Sequence, residues 1–336
     1  MVEFNTSSSL GSFEFGELCR AVLADPHFRK FAEEEGLYYV DPLACMADTL
    51  LATAGAGRGD RPTVALVHWT TSPVAVDASL FSDLFTELGF RLVNCTVADL
   101  EYGAGGLTAH GTKVDVVYRT FLLKTVAADP AALDLLAPLI AAVRDDAVGL
   151  FSPLNADLYG TKAAMAMLSE PAGRQLLPPD ERGAVERLLP WTRSLRDART
   201  REEGQGSLLE HVLAHRGDLV LKPSVGHAGQ GVRAGWMCSN EEWRGLVREA
   251  LGGDFIVQSR APSVAERFFP PGGPEPASTC FLHWGLFVTK AGLSGGFVKG
   301  LLDQEQDIRF LGDGSRVGCV FHAADPSLAT LHESST

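Results

Sequence analysis

The chain has no run of 18 consecutive apolar residues, which excludes a membrane-spanning helix. Its first twenty residues, MVEFNTSSSLGSFEFGELCR, have neither a basic start nor an apolar run, so no signal peptide is read there. There is no CxxC among the six cysteines, Cys19, Cys45, Cys95, Cys238, Cys280 and Cys319. They read as buried free thiols of a reducing, cytoplasmic environment, ahead of a disulfide framework or a zinc site. Nine histidines show no HExxH or HxH spacing, which argues against a dedicated transition-metal site. There is also no excess of positive charge: 29 Lys and Arg stand against 42 Asp and Glu, a net charge of −13. Such a chain repels DNA, RNA and anionic membrane surfaces, so none of these is expected as a partner, although a local basic pocket for a small anion remains compatible.

What is present is enough for a large core. The 336 residues are 46% hydrophobic and 21% charged, with a mean hydropathy near zero, and amount to roughly two domains. Residues 10–56 have helical spacing, with Pro or Asp starts and Gly stops. RGDRP breaks that pattern before the apolar strand TVALVHW (63–69). A helix, VDASLFSDLFTELGF, and the strands RLVNCTVADL (91–100) and VDVVYRTF (114–121) follow. The long helix DPAALDLLAPLIAAVRDD (129–146) then leads to a strand at VGLFSP. Alternating strands and helices argue for an open parallel sheet of Rossmann-like type. Its first strand–helix turn, HWTTSP, has no GxGxxG, which disfavours NAD. Residues 180–202 read as a polar helical stretch. The character then changes to α+β: GDLVLKPS a strand, SNEEWRGLVREAL a helix with an Asn cap, DFIVQSRAP a strand, PPGGPEP a turn or loop, and a hairpin around KAGLSGG. The tail ADPSLATLHESST is expected to fray.

The strongest chemical signal is LVLKPSVGHAGQGVRAG (219–235). An apolar strand presents Lys222 and is followed by Gly226, Gly229 and Gly231. Glycines let backbone N–H groups approach an anion, and a neighbouring lysine adds a point charge. By itself this is equally a Gly-rich hairpin turn with a snorkelling lysine, and it is not a Walker A loop, because GxxxxGK[ST] is absent. Three features add weight. LNADLYGTKAAMAML places Lys162 at a helix start, 60 residues before Lys222. DFIVQSRAPS ends an apolar strand in a polar linker. VEFNTSSS puts Glu3 and Asn5 at i and i+2, on one face of a strand, a hard-oxygen pair suited to Mg²⁺.

The order of these motifs resembles the ATP-grasp superfamily, in its circularly permuted branch that includes glutathionylspermidine-synthase-like ligases. In ordinary members the ExN metal motif closes the chain; in the permuted branch it precedes the Rossmann-like pre-ATP-grasp domain, as it does here. The resemblance covers nearly the whole chain and lies in the motif order more than in any one motif. It implies an α/β fold (α+β in the C-terminal half), with a permuted N-terminal segment at 1–57, a Rossmann-like pre-ATP-grasp domain at 58–153, an ATP-grasp nucleotide-binding domain at 154–325 and a tail at 326–336.

Carried onto this sequence, the resemblance implies that Lys162 and Lys222 hold the α- and β-phosphates of ATP. It implies that Ser224 to Gly231, with Gly226, His227, Gly229 and Gln230, form a lid over the phosphates, His227 being a lid residue or a plain loop histidine. Gln258, Ser259, Arg260 and Ala261 would be the hinge along the adenine edge, and Glu266 a ribose ligand or a surface carboxylate. Lys299, and more weakly Arg309, would neutralise the γ-phosphate; Glu3 and Asn5 would hold Mg²⁺. Arg119, at the carboxyl end of a parallel strand, reads as a substrate-carboxylate ligand or an ordinary surface arginine. Ser7, Ser8 and Ser9 read as a helix-start cluster or as phosphate or substrate contacts. Relatives carry a strand before ExN that often brings a third metal carboxylate. This chain begins two residues before Glu3, and Asp303, Glu305 and Asp307 are the substitutes available to complete the site.

The activity implied is an ATP- and Mg²⁺-dependent carboxylate–amine ligase. It would form an amide or peptide bond on a small amino acid or peptide through an acyl phosphate, with ADP and phosphate released. An ATP-dependent phosphotransferase, and an ATP-binding or scaffold protein impaired in catalysis, are the alternatives within the same fold. Small-molecule acid and amine partners are expected, with neither nucleic acid nor membrane, and homo-oligomerisation is left open.

Overall fold

The structure is a computed structural model, and it describes residues 1–6, 11–57, 59–71, 78–195, 201–202, 206–226, 229–263, 265–268, 278–301 and 316–323. The chain runs through α1 (Gly11–Ala24), α2 (Pro26–Glu34), β1 (Leu37–Tyr38), α3 (Pro42–Thr53), β2 (Thr63–His68), α4 (Ala78–Glu87) and β3 (Arg91–Thr96). Then come β4 (Leu100–Gly103), β5 (Gly106–Ala109), β6 (Thr112–Lys113), β7 (Val116–Arg119), α5 (Leu123–Ala127), α6 (Ala132–Arg144), β8 (Gly149–Phe151) and α7 (Ala156–Tyr159). They are followed by α8 (Lys162–Ser169), α9 (Pro171–Gln175), α10 (Pro179–Leu188), β9 (Thr192–Ser194), β10 (Arg201–Glu202), β11 (Gly206–Ser207), α11 (Leu208–Ala214), β12 (Leu219–Pro223) and β13 (Arg233–Ala234). The last elements are α12 (Asn240–Ala250), β14 (Phe255–Ser259), β15 (Ala265–Phe268), β16 (Ser278–Thr289), β17 (Gly292–Leu301), β18 (Arg316–Cys319) and β19 (His322–Ala323). The fold class is α/β. Among the described residues no helix is long and apolar enough to cross a membrane.

The chain divides into two units. One comprises Met1–Asn5, Leu158–His283 and Lys299–Val317; the other comprises Thr6–Asp157, Trp284–Val298 and Gly318–Thr336. The second holds a parallel sheet of order β3-β2-β7-β8. Central β2 is buried at every position because both its faces are covered. Val64 and Leu66 face Phe13, Leu43, Leu50 and Phe85, while Ala65 and Val67 face Leu136, Leu139 and Ala142 of α6. The continuous apolar run read from the sequence is therefore two alternating half-faces. An antiparallel β4-β5-β6 meander sits between β3 and β7, where the sequence pattern showed only the end of one long strand.

The first unit contains an antiparallel sheet of order β13-β12-β14-β9. Leu219, Leu221 and Val257 point into a core with Val212 of α11 and Trp243 and Val247 of α12. Two sequence expectations change here. The helix expected over 180–202 stops at Leu188, because Leu189 precedes Pro190 and adopts extended backbone; Thr192–Ser194 then pairs with β14 as a strand. The cap of α12 is Ser239 and not Asn240: Ser239 Oγ accepts from Glu242 N, and the Glu242 carboxylate accepts from Ser239 N at 2.7 Å. A further sheet has the order β15-β16-β17-β18, with β16 and β17 forming the hairpin expected around KAGLSGG. PPGGPEP and the tail beyond Ala323 lie outside the described residues.

Candidate functional site

Strand periodicity builds the centre of the site. On β12, Leu219 and Leu221 are committed to the core, so Val220 and Lys222 face the other way. In the antiparallel register Lys222 lies opposite Ile256 and Val220 opposite Gln258, which puts Lys222 and Gln258 diagonally adjacent on one face. The Lys222 Nζ donates to Gln258 Oε1 at 2.7 Å, and Gln258 Nε2 donates to Thr192 Oγ1 of β9 at 3.0 Å. Gln258 and Thr192 are both buried, so this relay satisfies polar groups that water does not reach.

A second lysine arrives from a helix start. Thr161 caps α8, its Oγ1 accepting from Ala164 N, and Lys162 follows as the first helical residue. Lys162 N donates to Ser224 O at 2.8 Å, which ties the helix start to the end of β12. The buried Lys162 ammonium donates to Glu3 Oε1 at 2.9 Å and to Gly226 O at 3.3 Å. Lys222 Nζ also donates to Val2 O at 3.3 Å. The N-terminal segment is further held by its ammonium donating to Leu188 O. Met1–Asn5 thus belongs to the same unit as both lysines, though more than 150 residues separate them in sequence.

Two ammonium groups share one carboxylate here, and the electrostatics show it. Lys222 is pushed down to about 8, chiefly by burial; Glu3 pulls the other way and Lys162 adds to the fall. His283 on β16 is pushed down to about 4 by burial and by the charge of Lys222, so it is neutral at pH 7. Its Nε2 lies 2.8 Å from Ser263 Oγ. Ser224 Oγ is buried without a hydrogen-bond partner, beside the turn that follows β12. In that turn Gly231 has a φ of +72°, and a Cβ there would sit 2.7 Å from Pro223 Cγ, so the bend requires glycine. Two ammonium groups against one carboxylate, an unpartnered buried hydroxyl and a glycine-built turn thus lie in one unit, an arrangement whose chemistry suits an anion.

The remaining expected residues are placed as follows. Gly226, Gly229, Gln230 and Gly231 are in the turn, and His227 lies outside the described residues. Ser259 N donates to Trp191 O and Arg260 N to Asp218 O at 2.7 Å, while the Arg260 guanidinium stacks over Trp236. Ala261 is exposed just beyond β14. Glu266 is exposed on β15, opposite Cys280. Lys299 is half-buried on β17 and engaged with other groups. Arg309, Asp303, Glu305, Asp307 and the cluster Ser7, Ser8 and Ser9 lie outside the described residues. Asn5 is exposed close to Glu3 in the chain, and among the described residues no three His, Cys, Asp or Glu side chains gather to hold a metal ion.

In the other unit Arg119 is fully buried at the end of β7. It donates to Ser152 O and Phe121 O at 2.6 Å each, to Pro153 O at 3.2 Å and to Asp157 Oδ2 at 2.7 Å. At the end of neighbouring β2, His68 lies 2.7 Å from Asn94 Oδ1 and 2.8 Å from Thr120 Oγ1.

Sequence reasoning missed Thr192, because its strand was hidden in an apparent helix, and His283, because a single histidine in an apolar hairpin carries no spacing signal. Pro190 was the available clue to the first; nothing short of the fold supplies the second.

A scan of protein-family models finds no match to this chain, and neither does a search of curated proteins. Among solved structures the chain is similar to an ATP-grasp RimK domain protein from Sphaerobacter thermophilus, at 12% identity and a TM-score of 0.38, over 81% of this chain and 95% of that one. It is similar to D-alanyl-alanine synthetase A from Vibrio cholerae at 11% identity and a TM-score of 0.37, over 82% and 78% of the two chains. It is also similar to the macrocyclase MdnC from Microcystis aeruginosa, bound with its precursor peptide MdnA, at 12% identity and a TM-score of 0.41, over 81% of each chain.

Proposed function

We propose that the protein is a cytoplasmic ATP-dependent carboxylate–amine ligase of circularly permuted ATP-grasp type, joining a small amino acid or peptide to an amine through an acyl phosphate. The observation that carries this reading is the joining of Glu3, Lys162 and Lys222 in one unit: Lys162 Nζ to Glu3 Oε1 at 2.9 Å, and Lys222 Nζ to the backbone of Val2. An N-terminal ExN segment seated against the two lysines is what a permuted nucleotide site requires.

In this reading Lys162 and Lys222 bind the phosphates of ATP, and the Ser224 hydroxyl donates a hydrogen bond to a phosphate oxygen. The turn from Gly226 to Gly231 closes over them and excludes water. Gln258 and Thr192 hold Lys222 in one rotamer. Lys299, with Arg309, would neutralise the charge that develops as the terminal phosphoryl group passes to the substrate carboxylate. An amine then displaces phosphate from the acyl carbon, and no serine or cysteine nucleophile is needed. Glu3 and Asn5 supply a carboxylate and an amide oxygen, a donor set that fits Mg²⁺ when most of its other ligands are phosphate oxygens and water. Mg²⁺, when bound, would neutralise phosphate charge. The Glu3–Lys162 ion pair favours one second reading, an ATP-binding protein without turnover, since it occupies the carboxylate that a metal would use.

The test is ADP and phosphate release measured across a panel of amino acids and amines, with mass spectrometry for a product short of one water. Release that needs both acid and amine, and that is abolished in Lys222→Ala, is the expected result. Full activity in Lys222→Ala would sink the site assignment. ATP binding by calorimetry with no turnover across the panel would establish the second reading.

A further inference from the structure

We propose that α6 is a dimerisation helix: a second copy of this chain docks on its outward face, with the two α6 helices antiparallel across a two-fold axis. The argument rests on the parallel-sheet unit alone and is independent of what the other unit binds.

α6 is apolar on more sides than its own unit covers. Its sequence, ALDLLAPLIAAVR, carries charge only at Asp134 and Arg144. Leu136, Leu139 and Ala142 are buried in the core beside β2. On the side away from the sheet Leu133 is 79% exposed and Ile140 43%, with Ala137 exposed between them. An outward face of this kind is not the charged stripe that a surface helix ordinarily presents to water. Leu133, Ala137, Ile140 and Arg144 stand at i, i+4, i+7 and i+11. That alternating spacing of four and three lines side chains along one seam, as in helices that pair with one another.

The seam complements itself in one direction. With the two-fold axis between Pro138 and Leu139, Ala137 faces Ile140 of the second copy, and Leu133 faces its Arg144. By symmetry each contact occurs twice. Large side chains meet small ones at the centre, and the aliphatic stem of arginine lies along leucine at the ends. The Arg144 guanidinium then reaches past Leu133 to Asp134 of the other chain, one residue on. A parallel pair would instead set Arg144 against Arg144, and would align the helix dipoles rather than oppose them. Both charged residues are exposed. Arg144 is engaged by its neighbour Asp145 at 3.1 Å, a surface pair that is cheap to exchange.

The apolar stripe is small, roughly 300 Å² per copy, within the range of the largest patch on a typical monomer. Two copies bury less than the about 1,000 Å² of a permanent interface. The net charge of −13 on each chain opposes association. The dimer is therefore weak and reversible, with a dissociation constant on the order of 10–100 µM.

Sedimentation velocity and light scattering of the full chain, from about 1 to about 300 µM in physiological salt, test it. The mass should climb from 35.9 kDa towards twice that value. Ile140→Asp, at an exposed position, should stay monomeric throughout with unchanged circular dichroism. Asp134→Arg sets arginine against arginine and should weaken the dimer about tenfold, while Asp134→Arg combined with Arg144→Asp should restore it. The charge exchange decides by itself if Ile140→Asp does not fold. A chain still monomeric at the highest concentration, a dimer that Ile140→Asp leaves intact, or a double variant as weak as the single one would overturn the proposal.

Discussion

In the proposed role Lys222 meets two opposed demands, since it is partly withdrawn from water and must keep its charge. The structure meets them with Gln258, whose amide oxygen holds the ammonium and whose amide nitrogen is anchored on Thr192. Gln258→Ala leaves buried Thr192 and half-buried Lys222 without it. We expect a loss of about 1–3 kcal/mol in urea unfolding and weaker ATP binding, where a solvent-exposed glutamine would change neither. The lowered value of Lys222, about 8, sets a direction in pH. Below it the lysine is protonated and attracts phosphate; above it the charge is lost. Calorimetric ATP affinity should therefore hold from pH 6 to 7.5 and fall by roughly tenfold per unit at higher pH, an effect absent from Lys222→Ala. An affinity unchanged at pH 9.5 would show that Lys222 does not carry phosphate charge. At this scale the sequence was informative about the lysines and silent about their partners. A lysine at a strand end before a glycine-rich turn is visible in one dimension. That Gln258 faces it depends on the register of β12 against β14, which no local pattern encodes.

The elements follow from local rules, and their corrections follow from the same rules applied more closely. Leu189-Pro190 ends α10 because the proline ring disfavours helical backbone at the residue before it. Polar, charge-rich composition past that point hid a strand, since β9, the edge strand of its sheet, is buried at Thr192 and Arg193 in succession and does not alternate. Close approach between elements is a tertiary matter. At Gly149, the first residue of β8, an added Cβ would sit 2.2 Å from the backbone oxygen of Thr53 at the end of α3. Gly149→Ala must push α3 off the sheet, and we expect it to cost about 1–3 kcal/mol by chemical denaturation. Ser239→Ala removes the capping box of α12 and should cost about 1 kcal/mol, while Asn240→Ala, at the position the sequence pattern favoured for the cap, should be nearly neutral.

For the whole molecule the telling segment is the shortest. Met1–Asn5 belongs with residues 158–283, while the chain that immediately follows it belongs to the other unit. A chain beginning at Thr6 should lose ATP binding by calorimetry and melt at a lower temperature, because Lys162 is left buried without Glu3 and Lys222 without Val2. Binding that survives the truncation would remove the N-terminus from the site. The sequence by itself determined the α/β class, the apolar β2 run and most of the helices and strands, because hydrophobic period, caps and glycine punctuation act over a few residues. The tertiary structure alone decided which of those residues meet. The Glu3–Lys162 pair, the relay from Lys222 through Gln258 to Thr192 and the lowered value of His283 join segments distant in the chain, and their energies depend on the burial that folding brings.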